Sequence, residues 1–265
     1  MLTGEDFTSA LESLNLGNKP AIAHASLKSF GAVHRGAEVV LNALLTYVSG
    51  LVLPAFTYKT MVTPEVGPPN NAIVYGSQRD LNLMAVPFRY TMRIDPMIGM
   101  MSEVLRHYPG AMRTNHPILS FVGVNMKEVL LNQTVYNPLA PIAGLADRDG
   151  WVLLLGVDHT VNTSIHYGEK LAGRRQFTRW AVSGNRIIEC PGFPNCSDGF
   201  EAIRPHVNHV SRRAPVGESF IEAIPLHPLL QAVEMEIKKD PLALLCQRDG
   251  CERCNAIRAL YGARR

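Results

Sequence analysis

The run Trp151-Val152-Leu153-Leu154-Leu155 constrains this chain most, because a short, unbroken apolar segment between Gly150 and Gly156 needs burial on every side. Its length fits a strand inside a sheet, and the rest of the chain must supply that sheet. The polar residues after Gly156 form a turn, and beyond it Thr163, His166 and Glu169 stand three apart. At helical spacing those three side chains share one face. A buried strand that ends in a polar turn and a helix presents reactive groups at the edge of a sheet.

With 265 residues and 46% hydrophobic content, the chain can bury a large core, and no internal repeat or low-complexity linker divides it. A single domain over residues 1–265 is the expectation. The net charge of +3 and a pI near 8.6 argue against a nucleic-acid surface, since no dense Lys/Arg run appears apart from the end, Arg264-Arg265. Between Glu38 and Lys59 the chain is uncharged, but Asn42, Ser49, Gly50 and Pro54 interrupt it, so no membrane span is expected. The first residues lack the pattern of a secretory signal, which points to the cytoplasm. A monomer and a homodimer are equally compatible with the sequence.

The order of elements predicts an α/β fold. Thr3 to Leu16 reads as an amphipathic helix, Ala21 to Ala25 as a strand, Val39 to Val48 as a helix and Leu51 to Phe56 as a second strand. Between the first strand and its helix lie Ser26, Leu27, Lys28, Ser29 and Gly31, a loop with hydroxyls and a basic side chain. It is either a plain connection or a phosphate cradle, and it matches neither the P-loop nor the dinucleotide fingerprint. Pro64 to Asn71 is irregular and is expected to wall the site. Asp95 to Arg106 reads as a proline-initiated helix with methionines filling the core, Ile118 to Val124 as a strand, and Lys127 to Asp149 as one helix and a loop. Phe177–Val182 and Arg186–Cys190 read as a hairpin, followed by helices over Phe200–His209, Pro228–Lys239 and Pro241–Leu245.

Imidazole titrates near neutral pH, so His166 is a candidate general base with Glu169 to orient it; a structural histidine is the competing reading. There is no G-x-S-x-G elbow for Ser164, and His159, His166 and Glu169 lack zincin spacing. Arg113, beside Thr114 and the His116-Pro117 pair, is a candidate anion clamp. The five cysteines read as reduced thiols, with no required metal. The alternative is a structural zinc on Cys246, Cys251 and Cys254, spaced C-x4-C-x2-C, completed by Cys190 and Cys196.

Three blocks together resemble the aminoglycoside 3-N-acetyltransferase family: His24 to Gly31 with Gly36-Ala37-Glu38, Gly110 to Pro117 with Ser120, and Leu153 to Gly156 with Asn162 to Glu169. The resemblance covers about Leu2 to Glu169 and weakens beyond it. It implies a mixed central β-sheet flanked by helices, with a loop-rich lobe on the substrate side, unlike the GNAT acetyltransferases. The implied reaction is direct transfer of acetyl from acetyl-CoA to the 3-amino group of a 2-deoxystreptamine aminoglycoside. His166 would be its general base and Thr163 its oxyanion donor. Ser26, Leu27, Lys28, Ser29, Gly31, Arg113, Thr114, His116 and Ser120 would lie on the CoA side. Tyr58, Asp158, Glu169 and Asp198 would lie on the side of the cationic substrate. Gly168 departs from the family's usual alanine. A homologue acetylating a different amine, or a non-catalytic CoA-binding protein stapled by zinc, is the alternative.

Overall fold

In the computed structural model, which describes residues 1–262, the apolar run is strand β6 (Trp151–Leu155), buried throughout. It pairs parallel with β1 (Ala21–Ala25) and antiparallel with β10 (Ser219–Pro225). β1 in turn pairs parallel with β2 (Leu51–Pro54). Antiparallel strands β5 (Phe121–Val124), β4 (Met112–Arg113) and β9 (Arg212–Val216) complete a seven-stranded sheet ordered β4-β5-β2-β1-β6-β10-β9. The expected mixed central sheet is therefore present. The pair Arg264-Arg265 lies outside the described residues.

Side-chain alternation splits the core in two. Ile22, Val52, Val152, Leu154 and Ile224 point to one face, which is covered by α5 (Lys127–Leu131), α6 (Ala140–Ala146), α7 (Thr163–Leu171) and α9 (Leu226–Lys239). Ala21, Leu51, Leu53, Leu153 and Leu155 point to the other, under α1 (Gly4–Leu14), α2 (Ala37–Tyr47) and the short α4 (Met100–Leu105). Each such leucine or isoleucine contributes about 1.5–3 kcal/mol by leaving water. Helices on both faces are what lets β6 be apolar on every side.

A second sheet, β3-β7-β8, forms a smaller lobe: β3 (Met61–Val62), β7 (Phe177–Ser183) and β8 (Arg186–Phe193). β7 and β8 are the expected hairpin. The excursion between β3 and β4 contains α3 (Arg79–Leu83) and is anchored to this sheet from within. Asn71 bonds both backbone groups of Thr178 at 2.8 and 2.9 Å, and Arg179 donates to the Asn71 and Ala72 carbonyls at 3.0 and 3.1 Å.

Several expectations differ from the structure. The segment from Asp95 divides at Gly99 into a 3-10 turn, Pro96–Ile98, and α4; of its methionines only Met101 is buried, while Met97 and Met100 are exposed. Lys127 to Asp149 forms two helices rather than one. Phe200 to His209 is a 3-10 turn running into α8 (Arg204–Val207), and Pro241 to Leu245 is a turn instead of a helix. The strands β4, β9 and β10 and helix α10 (Glu252–Gly262) were not expected. β10 escaped the pattern because Glu222 sits in its buried middle, and β9 because it is an edge strand containing Pro215. None of the described helices is long and apolar enough to cross a membrane.

Candidate active site

The site is assembled at the carboxyl ends of the parallel strands, where β6 turns into α7. Gly156 makes that turn possible: its φ is 65°, and a Cβ there would stand 2.8 Å from the Ser29 Cβ and 3.1 Å from the Ser26 carbonyl oxygen. Asp158 accepts a hydrogen bond from the Thr160 N–H at 2.9 Å and caps the following 3-10 turn. Asn162 then caps α7, its side-chain oxygen accepting from the Ser164 N–H at 3.1 Å. Thr163 is thereby placed in the first turn of α7, with His166 and Glu169 below it on the same face.

His166 and Glu169 meet as the spacing predicts. The carboxylate Oε2 lies 2.8 Å from His166 Nδ1, and both side chains are buried. A carboxylate only accepts, so Nδ1 carries a proton toward Glu169, and no hydrogen bond reaches Nε2 from the described residues. Glu169 Oε1 is held at 2.8 Å by Arg174, whose other nitrogen donates to the Pro241 and Ala243 carbonyls at 2.8 and 2.6 Å. Arg174 lies just past the end of α7, where helical periodicity no longer applies, and so escaped sequence reading. The ring of His166 also meets Phe200 edge-on, with centroids 4.7 Å apart.

His166 and Thr163 line a cavity of about 340 Å³, together with His24, Tyr58, Asn195 and Arg253. His24 opens the first of the three family blocks but has no role in the sequence reading. Burial, with the neighbouring His166 and His159, pushes its pKa down to about 3, so it faces His166 as a neutral ring. Its register with Leu154 in β6 puts it on the α7 face, and its Nε2 has no hydrogen-bond partner among the described residues. Behind the loop that carries Asn162, buried Glu222 receives Arg204 at 2.7 and 3.0 Å. Desolvation nevertheless holds the Glu222 pKa above the ordinary carboxylate value.

A larger cavity, about 800 Å³, lies under the segment 73–86 and shares Tyr58 with the first. It contains neither His166 nor Thr163, which both line the smaller one. The Pro64 to Asn71 loop borders neither cavity, which corrects its expected place as a wall of the site.

The other candidate residues divide by where their polar atoms are spent. Ser26, Leu27, Lys28, Ser29 and Gly31 form a 3-10 turn beside the cavity but outside its lining; Lys28 is exposed, and the Glu218 carboxylate stands against Gly31. Arg113 is buried, bonding Ser120, Tyr90, Met92 and Ala55 at 3.1, 3.2, 2.6 and 2.7 Å. Thr114 accepts from the Phe121 N–H, and His116 Nδ1 accepts from Ile118 and Leu119 at 3.2 and 2.9 Å. Burial lowers the His116 pKa to about 4. The group Arg113, Thr114, His116 and Ser120 thus braces β4 and β5 against β2, and none of it lines the cavity. Asp158 is an exposed cap, also outside the lining. Asp198 reaches the rim, paired with Arg248. Glu169 has both oxygens engaged inside the protein, which removes it from direct contact with a cationic substrate.

A buried histidine braced by a carboxylate at the carboxyl ends of a mixed sheet, beside a cavity, is an arrangement chemically suited to proton transfer. The aminoglycoside 3-N-acetyltransferase family profile matches residues 22–237. The chain belongs to this family of acyltransferases. The aminoglycoside N(3')-acetyltransferase-like protein YokD of Bacillus subtilis is 31% identical over 201 residues, spanning 70% of this chain and 72% of that protein. The solved aminoglycoside acetyltransferase AAC(3)-IVa in complex with gentamicin superposes with a TM-score of 0.78 at 20% identity, over 97% of each chain. AAC-IIIb in binary complex with CoASH superposes with a TM-score of 0.72 at 19% identity, over 89% of this chain and 96% of that one.

Proposed function

We propose that this chain transfers the acetyl group of acetyl-CoA directly to the 3-amino group of a 2-deoxystreptamine aminoglycoside, inactivating the antibiotic. The observation that carries this reading is the buried relay Arg174–Glu169–His166, which ends in a free Nε2 on a cavity that also holds the Thr163 hydroxyl. His166 Nε2 takes the proton of the attacking amine as its nitrogen bonds to the thioester carbonyl carbon. Glu169 holds the ring in one tautomer and stabilises the charge that develops on it. Thr163 donates to the carbonyl oxygen, aided by the positive N-terminal end of α7. Collapse breaks the C–S bond and releases CoA as its thiol. No acyl-enzyme is needed, because holding amine and thioester together replaces a bimolecular encounter.

For acetyl-CoA, the turn with exposed Lys28 and the Ser26 and Ser29 hydroxyls is the chain's available anion site, whereas Arg113 and His116 are committed to bracing the sheet. The relatives seen with gentamicin and with CoASH support these two substrate classes. A different amine is the second reading, because Glu169 and Asp198, acidic groups that a polycation would seek, are already paired with arginines.

A thiol-release assay with acetyl-CoA across a panel of aminoglycosides and simpler amines tests both readings. Turnover confined to 2-deoxystreptamine compounds is expected; turnover with other amines alone favours the second reading, and none with any amine, despite CoA binding, ends both. His166→Ala should lower kcat by about 10²–10⁴ with CoA affinity nearly intact. A wild-type kcat in that variant would remove His166 from the role.

A further inference from the structure

Four thiols that the acyl transfer does not use meet just behind the cavity wall. The Sγ atoms of Cys196, Cys246, Cys251 and Cys254 all lie within 4.8 Å of one another. A tetrahedral zinc–thiolate site, with Zn–S bonds of about 2.3 Å, sets its sulfurs about 3.8 Å apart, so the four need to close only slightly on an ion. The set is selective. Cys190, the fifth cysteine, turns its sulfur toward the Ile188 carbonyl in β8 and stays out of the group.

Buried cysteines often pack as small hydrophobic groups, but here hydrogen-bond donors and arginines surround the sulfurs. Arg248 reaches Cys196 Sγ at 3.6 Å, and the backbone N–H groups of Asp198 and Arg248 face the Cys196 and Cys246 sulfurs. Donors aimed at sulfur favour the thiolate. A zinc ion with four thiolates carries a net double negative charge, and Arg248, Arg253 and Arg258 all lie around it. Arg258 bonds the Cys246 carbonyl, and Arg253 bonds the Asn195 carbonyl at 2.8 Å.

We infer that Cys196, Cys246, Cys251 and Cys254 bind one structural zinc ion that pins the segment carrying α10 to the loop lining the cavity. The cluster joins two stretches distant in the chain, and both contribute to the site: Asn195, Ser197 and Asp198 flank Cys196, and Arg253 lies between Cys251 and Cys254. The ion stands outside the acyl-transfer chemistry, and its assignment does not depend on the substrate proposed above.

Elemental analysis of protein purified without chelators should find about one zinc per chain. Cys190→Ser should keep it, and Cys251→Ser, which alters the half-buried member of the set, should lose it. Should Cys251→Ser fail to fold, exchange of cobalt into the wild-type protein decides the matter. Thiolate-to-cobalt charge-transfer absorption with tetrahedral ligand-field bands is then expected. A metal-poor wild-type protein that takes up cobalt without those bands would overturn the inference, as would a folded Cys251→Ser variant with its full complement of zinc.

Discussion

His166 owes its orientation to Glu169, and Glu169 owes its own to Arg174, so the placement of the imidazole is set one residue beyond the one it touches. Arg174 is 4% exposed and Glu169 1% exposed, so their charges compensate each other where little water can. Replacing Arg174 with Met would strand a buried carboxylate and leave the Pro241 and Ala243 carbonyls without their donor. We expect Arg174→Met to lower the unfolding free energy by about 3–5 kcal/mol, read from urea denaturation. A loss below 1 kcal/mol would mean that Glu169 finds other partners. Arg113 illustrates the opposite outcome for an arginine. It was the natural anion clamp in the sequence, but its guanidinium is committed to protein oxygens, and burial lowers its pKa to about 10.

At the scale of elements, the packing of α7 against α9 accounts for a glycine at position 168. A Cβ at that position would lie 2.6 Å from Val233 Cγ1 and 2.7 Å from Val233 Cβ, inside the contact limit. Alanine is worth about 1 kcal/mol more than glycine in a helix, whereas overpacking costs about 1–3 kcal/mol. Gly168→Ala should therefore destabilise the protein despite its better helix propensity. The same change made with Val233→Ala should recover much of the loss, a comparison that equilibrium denaturation of the single and double variants can make. If Gly168→Ala alone is stabilising, α9 can move aside and the close approach is not obligatory.

Across the whole molecule, buried neutral histidines tie stability to pH. Burial holds His24 down to about 3 and His116 to about 4, from an ordinary value near 6.5. The unfolded chain gains these protons as pH falls below about 6.5, but the folded chain does not gain them until about 3 to 4. Stability present above 6.5 is therefore lost progressively across that interval, and Tm should fall with it. In His116→Asn the amide oxygen can still accept from Ile118 and Leu119, and one titrating group is gone. Its acid limb should be shallower than the wild type's; an identical slope would exclude His116 as a contributor.

The sequence alone determined what local chemistry dictates. An apolar run between glycines had to be a buried strand, the three-residue spacing put Thr163, His166 and Glu169 on one helix face, and Ser183-Gly184-Asn185 marked a hairpin. Three blocks in order identified the family and, through it, the mixed sheet. The tertiary structure decided everything that joins residues distant in the chain. It brought Arg174 and the Pro241 turn to Glu169, placed His24 opposite His166 by strand register, and inserted β10, with its buried Glu222, beside β6. It also chose Cys196 over Cys190 to join the C-terminal cysteines. Spacing along a chain sets which side chains share a face, but contacts between segments depend on how whole faces pack, and no local pattern records that.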